Sequence, residues 1–431
     1  MGCFLTLFVG QTLAAGGVAW LTVRHLKRCG EEVLPSFEGF VDPSTFARIT
    51  AYTAAKNRTA IVRETLSDLA LLTMILSGFL ISVEKALLGW NLHFVSAGIV
   101  FFMVPGLILS LLSLPFDYYC AFGIEEAFGF NRSSLGTWVA DRIKSGVLSL
   151  ILSSVLIAAL LWTNHVSPEY WWWWAFAIVS SIQIGLTVAY PILIAPLFNK
   201  FEPVKDEDLS HRIRALMEDN GIRIDNLFQM DAGTRSRHTN AYFSGLGKTK
   251  RIVLYDTLLE SHSHEEILSI LAHEVGHLQG RHVFKLVLIF ELSLLAGLFV
   301  SYRLLEWPLL YSTFGFSTPE PWVGLFLILL IWERGGYFLR PLYMGLSRRF
   351  ELEADLFAAR LMKTSVHLVA SLKRMAADNL SNPAPHPLDV CMNYSHPPLV
   401  ERIERLVRAE PDLQGAHTYG PSPLHRESGT C

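Results

Sequence analysis

The stretch SHEEILSILAHEVGHLQGRH, residues 263–282, predicts a helix that carries a metal-binding motif. Its first four residues match a capping box that begins at Ser263, and apolar residues then recur at helical spacing. His273 and His277 are four residues apart, so their imidazoles project from one face about 6 Å apart, which suits two corners of a tetrahedral zinc site. Glu274 lies one residue further round the helix and can reach a water on the same ion.

Apolar segments flank this helix on both sides. Of the 431 residues, 51% are hydrophobic and 17% are charged, whereas an average soluble domain has about 25% charged residues. A membrane-spanning helix needs about 20 mostly apolar residues, and this criterion predicts about seven spans. They are residues 4–23, 67–88, 95–116, 146–163, 171–197, 284–306 and 321–341.

The distribution of lysine and arginine predicts the orientation of these spans. Basic residues accumulate in alternate loops and in both long polar stretches, and such loops stay on the cytosolic side. The N-terminus is therefore expected outside and the C-terminus in the cytosol. We expect two regions: a membrane region over 1–198 with five spans, and a metallopeptidase region over 199–431. The net charge of −3 gives no reason to expect a nucleic-acid partner.

A third metal ligand is expected after the last span, where residues 347–360 read SRRFELEADLFAAR. Glu351 and Asp355 share a helix face at i,i+4 spacing, and Glu353 is expected to point away. The alternative is a solvated helix whose acids pair with neighbouring arginines. Because the last two spans form a hairpin, Glu351 returns to the side of the membrane that holds the two histidines. Three protein ligands leave a fourth position for water, as a catalytic zinc site requires.

The inferred chemistry is peptide hydrolysis. Zinc would lower the pKa of its water toward about 7, and Glu274 would take the proton and deliver it to the leaving amine. His396, in YSHPPLVERI, or Arg402 could stabilise the oxyanion. The alternative for His396 is an ordinary loop residue.

The stretch NAYFSGLGKTKRIVLYDTLL, residues 240–259, predicts a turn-linked pair of strands before the metal helix. An exposed strand there could bind an extended peptide by strand addition. A purely structural hairpin is the alternative, and the pattern alone does not separate the two.

These segments together resemble the type I CAAX prenyl endopeptidases, the seven-span zinc proteases of the endoplasmic reticulum. The resemblance covers most of the chain and rests on motifs in the same order: PSFEGF and IEEAFGFNRSS, YPILIAPLFNKFEPV and NAYFSGLGKTKRIVLYDTLL, then LAHEVGHLQGRH, SRRFELEAD and SHPPLVERI. It implies an all-α polytopic membrane protein whose spans enclose a chamber, with an α+β gluzincin-like zinc metalloprotease domain on the cytosolic side.

The resemblance also implies roles for individual residues. His273, His277 and Glu351 would bind one Zn²⁺ per chain, with Glu274 as the base. Asp355 would support a zinc histidine or act as proton donor, and His396 would face the cleft. The remaining implied site residues are Arg402 and the substrate-aligning strand Asn240, Ala241 and Tyr242. Glu353 stands where the resemblance leads us to expect glutamine.

The implied substrate is a prenylated CAAX protein, cut after the prenylated cysteine so that three residues are removed. The implied surroundings are lipid, in the endoplasmic reticulum membrane with the site facing the cytosol, and the nuclear envelope as a second location. Other classes predict different features. A site-2-type protease takes its third ligand from an aspartate-glycine motif inside a span, and a bacterial-type quality-control protease is shorter. A transporter or scaffold could carry a vestigial HEVGH.

Overall fold

Long helices account for most of the computed structural model, which describes residues 1–29, 34–38, 40–244 and 250–415. The helices are α1 (Gly2–Cys29), α2 (Pro43–Leu76), α3 (Phe79–Gly89), α4 (Phe94–Tyr119), α5 (Leu135–Val166), α6 (Trp171–Ala189), α7 (Glu207–Asp219), α8 (Asp256–Ser261), α9 (His264–Gln279), α10 (His282–Leu305), α11 (Pro308–Thr313), α12 (Pro321–Tyr337), α13 (Arg340–Met362), α14 (Val366–Asp378), α15 (Pro387–Asn393) and α16 (Leu399–Gly415).

Five of the described helices are long and apolar enough to cross a membrane, or up to seven if each of two bent helix pairs is one span. The predicted spans 67–88 and 321–341 correspond to these pairs, which bend by 58° between α2 and α3 and by 53° between α12 and α13. In each of these two regions a bend interrupts the helix. Gly78, with φ of 78°, interrupts the first pair, and the ring of Pro341 removes an N–H at the start of α13.

Helix α2 also begins well before the apolar run that predicted it. Its first half is polar, so a hydropathy criterion assigns it to a loop. Asp42 caps the helix by accepting a hydrogen bond from the backbone N–H of Thr45, and Pro43 occupies the first turn. Buried Phe46, Ile49 and Tyr52 then fix this half against the C-terminal helices. Packing rather than hydropathy therefore extends the helix.

A small sheet precedes the metal-motif helix. Its strands are β1 (Phe201–Pro203), β2 (Ile224–Met230), β3 (Ala241–Ser244) and β4 (Lys250–Tyr255), in the order β1-β2-β4-β3. Strands β2 and β4 are parallel, and the other two pairs are antiparallel. The β4 residues Ile252 and Leu254 are fully buried in a core shared with α7 and α9. The predicted strand pair is confirmed as β3 and β4, and its turn residues Gly245 and Gly247 lie outside the described residues.

Helices α9 and α13 approach each other closely enough to bring the sequence motifs together. A Cβ built on Gly276 would lie 2.9 Å from the Cα of Ala354, so only glycine fits at this crossing. Ala354 and Ala358 are fully buried on the same face of α13. These small residues let the two backbones pack tightly, which places Glu351 beside the histidines of α9.

The spans leave internal cavities between them. A polar cavity of about 780 Å³ lies among α1, α2, α4 and α12, and Arg334 on its wall is buried beside Asp68, with an Nη1 to Oδ1 distance of 2.7 Å. An apolar cavity of about 450 Å³ lies among α4, α5, α6, α10 and α12. Intramembrane charges of this kind face an interior rather than lipid, as their desolvation cost requires.

Candidate metal centre

The predicted capping box fixes the start of α9. Ser263 Oγ accepts a hydrogen bond from the N–H of Glu266, and a Glu266 carboxylate oxygen accepts one from the N–H of Ser263 at 2.8 Å. Glu266 is buried and also accepts a hydrogen bond from Arg374 on α14 at 3.1 Å. The helix that carries HEVGH is therefore anchored at its first turn.

His273, His277 and Glu351 converge at the crossing of α9 and α13. The two Nε2 atoms are 3.1 Å apart, and they lie 3.3 Å and 3.2 Å from the two Glu351 carboxylate oxygens. Tetrahedral zinc with bonds of about 2.0–2.1 Å separates its donor atoms by about 3.3–3.4 Å. The donor types and their spacing therefore fit a tetrahedral metal ion held by three protein ligands.

Asp355 supports one of these donors from behind. Its Oδ1 lies 2.8 Å from His273 Nδ1, so a proton on Nδ1 leaves the Nε2 lone pair facing the metal position. Burial lowers the pKa of His273, but the contacts with Asp355 and Glu351 outweigh burial and raise this pKa to about 9. The two carboxylates therefore favour a positive charge next to them. A bound metal cation would supply such a charge as well.

Arg402, which was expected to contact substrate, lies on α16 beside Asp355. It is buried, and its guanidinium donates two hydrogen bonds to Asp355, at 2.8 Å and 2.6 Å. Burial lowers the pKa of Arg402, but the charges of Asp355, Glu351 and Glu274 raise it above its usual value. Both oxygens of Asp355 are thus occupied within the protein. The sequence could not show this pairing because the two residues are 47 positions apart.

Glu274 and His396 are the accessible members of the cluster. Glu274 is partly exposed, beside the two histidines on α9. His396 lies in the loop before α16, with Nδ1 2.7 Å from a Glu351 carboxylate oxygen and about 60% of its side chain exposed. Both side chains are therefore accessible beside the metal-ligand group, whereas Asp355 is buried.

The predicted substrate strand forms the described edge of the sheet. Ala241 pairs with Leu254 and Tyr242 with Val253, and no other described strand lies beyond β3. The backbone oxygen of Asn240 accepts a hydrogen bond from Tyr255, while the N–H of Ala241 donates to the side chain of Asn240 at 2.9 Å. In an antiparallel ladder alternate residues point away from the partner strand. The backbone of Ala241 therefore faces the open edge.

Two residues near the centre were not recognised in the sequence. His282 Nδ1 lies 3.1 Å from His277 Nδ1, and Glu353 lies 3.3 Å from His282 Nε2. Glu353 does not belong to the group of possible metal ligands, but its side chain contacts His282. The signal available was the second acid in ELEAD, at a position where glutamine was expected.

Known proteins show the same organisation. Residues 22–200 match the family described as "CAAX prenyl protease N-terminal, five membrane helices", and residues 203–410 match peptidase family M48. CAAX prenyl protease 1 of Saccharomyces cerevisiae is 32% identical over 418 residues, which cover 90% of this chain and 91% of that protein. The chain belongs to the CAAX prenyl proteases of peptidase family M48.

Other CAAX prenyl proteases support this assignment. The CAAX prenyl protease 1 homolog of Homo sapiens is 30% identical, and the match covers 72% of this chain and 74% of that protein. The crystal structure of Ste24p from S. mikatae has a TM-score of 0.87 at 28% identity, covering 94% of this chain and 98% of that one. The chain is therefore a multi-pass membrane metalloendopeptidase, and its family implies a metal ion in the site.

Proposed function

We propose that this chain is a zinc-dependent endopeptidase that removes the last three residues of prenylated CAAX proteins. One observation carries the proposal: His273, His277 and Glu351 present three donors 3.1–3.3 Å apart beside an accessible glutamate, in a CAAX prenyl protease fold. This donor set is our reason for proposing that the site binds a metal ion. The similarity to the CAAX prenyl proteases is our reason for proposing this substrate class.

In this proposal His273, His277 and Glu351 hold one Zn²⁺ per chain. A bound zinc ion supplies a Lewis acid that activates water and polarises the scissile carbonyl. Glu274 takes the proton of the attacking water on its carboxylate and returns it to the leaving amine. Its partial exposure and its place one residue from His273 support this role.

The other polar residues divide into two roles. Asp355 holds His273 through Nδ1, and Arg402 holds Asp355, so both are positioning residues. For Asp355 we favour the supporting role over that of proton donor, because its carboxylate is buried and both of its oxygens accept hydrogen bonds from Arg402. His396 is exposed at the metal position and is the side chain we assign to the oxyanion.

We further propose that substrate lies as an extended strand along β3. Asn240, Ala241 and Tyr242 would align its backbone, and strand addition of this kind binds a peptide without reading most of its side chains. Such binding suits a protease whose substrates share only a short modified C-terminus.

The setting we propose is the endoplasmic reticulum membrane and the nuclear envelope, with the site facing the cytosol. The basic loops support this orientation. We place the boundary between membrane region and peptidase region at residues 198–199, just before β1. Lipid is the expected partner of the spans, and no nucleic-acid partner is proposed.

The substrate is tested by comparing two peptides with the same CAAX sequence, one farnesylated and one unprenylated. The detergent-purified full chain should release the terminal tripeptide from the farnesylated peptide with the higher kcat/KM. Glu274→Gln protein is the control for contaminating proteases. Equal kcat/KM for both peptides would instead favour a general membrane quality-control protease.

A further inference from the structure

The first residue of the candidate spanning helix α10, His282, contacts the metal centre. His282 begins α10, is only 2% exposed and places Nδ1 3.1 Å from Nδ1 of His277. Arg281 makes the turn into α10 in the left-handed region, with φ of 51°. A Cβ on Gly280 would overlap the His282 ring. The glycine and the left-handed turn together create the space that this imidazole fills.

Helix α13 holds the other side of the His282 ring. The ring stacks on Phe350, with centroids 4.3 Å apart and planes at 4°. Its Nε2 lies 3.3 Å from an oxygen of Glu353, whose second oxygen accepts a hydrogen bond from Arg349 at 3.0 Å. His282 is therefore fixed between His277 on one side and Glu353 on the other.

The negative charge of Glu353 determines which ring nitrogens of His282 and His277 carry the protons in this row of contacts. A proton on His282 Nε2 faces the carboxylate, which leaves the Nδ1 lone pair of His282 to accept from His277 Nδ1. His277 then has a free lone pair on Nε2. The reverse order would turn the unprotonated Nε2 of His282 toward an anion, which is unfavourable. Only the first order frees the His277 nitrogen that points to Glu351.

We infer that His282 and Glu353 form a positioning pair that holds His277 as a metal ligand. The pair does for His277 what Asp355 does for His273, since outer partners of this kind fix both the tautomer and the ring orientation. Because His282 begins α10, the pair also joins the metal centre to a membrane span. The inference rests on the zinc site proposed above.

Zinc affinity tests this inference without any substrate. His282→Phe keeps an aromatic ring against Phe350 but removes both nitrogens. Its zinc Kd, measured by chelator competition on the detergent-purified full chain, should rise about 10–100-fold, the usual effect of losing an outer partner. His282→Asn places an amide oxygen near the former Nδ1 and should recover much of this loss.

The matched control is His262→Phe, which replaces another buried histidine, at the C-terminal end of α8 just before α9 begins. It should change the unfolding temperature but leave the zinc Kd at the value of the unsubstituted protein. Glu353→Leu keeps the His282 ring and should raise the Kd, whereas Glu353→Gln keeps an acceptor and should raise it less. This second series carries the test if His282→Phe fails to fold.

Equal zinc Kd values for His282→Phe and His262→Phe would overturn the inference, as would a Kd for Glu353→Leu equal to that of the unsubstituted protein. Those results would leave the proposed function standing. An unsubstituted protein that binds no zinc would instead refute the proposed function, so the two failures are distinguishable.

Discussion

The metal centre and the β3 edge, to which we assign the proposed reaction and the proposed peptide, differ in how many of their polar groups are paired within the chain. At the centre, His273 is held by Asp355, and Asp355 in turn by Arg402, all of them buried. At the edge, one side of β3 has no partner strand among the described residues. Under the proposed function, the side chains of the metal centre are therefore preorganised, whereas the strand edge assigned to the peptide has no partner strand among the described residues.

The largest expected effect is loss of the metal. Glu351→Ala removes one of three protein donors, so purified protein should lose its zinc and its peptide cleavage together. Elemental analysis of zinc per chain is the measurement, and Glu404→Ala, an exposed glutamate on α16, is the matched control. Unchanged zinc content in Glu351→Ala would remove this residue from the centre.

Glu274→Gln should separate catalysis from metal binding. The amide cannot take a proton, so kcat should fall about 10²–10⁴-fold, the usual contribution of a general base. Zinc content should stay at one per chain because Glu274 is not a ligand. Retained kcat with full zinc would show that another group is the base.

Arg402→Met should show how much the pairing of Arg402 with Asp355 contributes to the free energy of unfolding. Removing the guanidinium leaves Asp355 buried without its partner, which typically costs about 3–5 kcal/mol in the free energy of unfolding. Thermal unfolding in detergent checks this, with Arg405→Met, an exposed arginine on the same helix, as control. Similar unfolding temperatures for the two variants would contradict the assignment of Arg402 to Asp355.

The smallest effect is expected at the open edge. Ala241→Pro removes the backbone N–H that faces away from β4. Without substrate this N–H donates to the side chain of Asn240, and in the proposed complex it donates to the peptide backbone instead. A single hydrogen bond is worth about 0.5–1.5 kcal/mol. KM should therefore rise about 2–10-fold while kcat and zinc content stay the same. A lowered kcat with unchanged KM would indicate that the substrate binds elsewhere. The β3 edge would then no longer be the peptide-binding region of the comparison.

Features that depend on neighbours in the sequence could be predicted. The capping box at Ser263, the shared face of His273 and His277, and the apolar runs of the spans all follow from spacing within one helix. The predicted hairpin of spans also placed Glu351 near the two histidines, and its carboxylate oxygens lie 3.3 Å and 3.2 Å from their Nε2 atoms.

Features that depend on tertiary packing could not be predicted. The pairing of Arg402 with Asp355 and that of His282 with Glu353 join helices that are distant in the chain. Gly78 is visible in the sequence as a possible break in the helix, but the direction of the bend depends on what α3 packs against. Local spacing therefore predicts the residues of the candidate site, and tertiary packing determines which other residues contact them.

The most direct test of the central claim is an anomalous difference map, calculated from crystals of the full chain with data collected on both sides of the zinc absorption edge. The account predicts one peak that disappears below the edge, between the two Nε2 atoms of His273 and His277 and the carboxylate of Glu351. A zinc peak bound by other residues, or no zinc in protein that cleaves peptide, would contradict it.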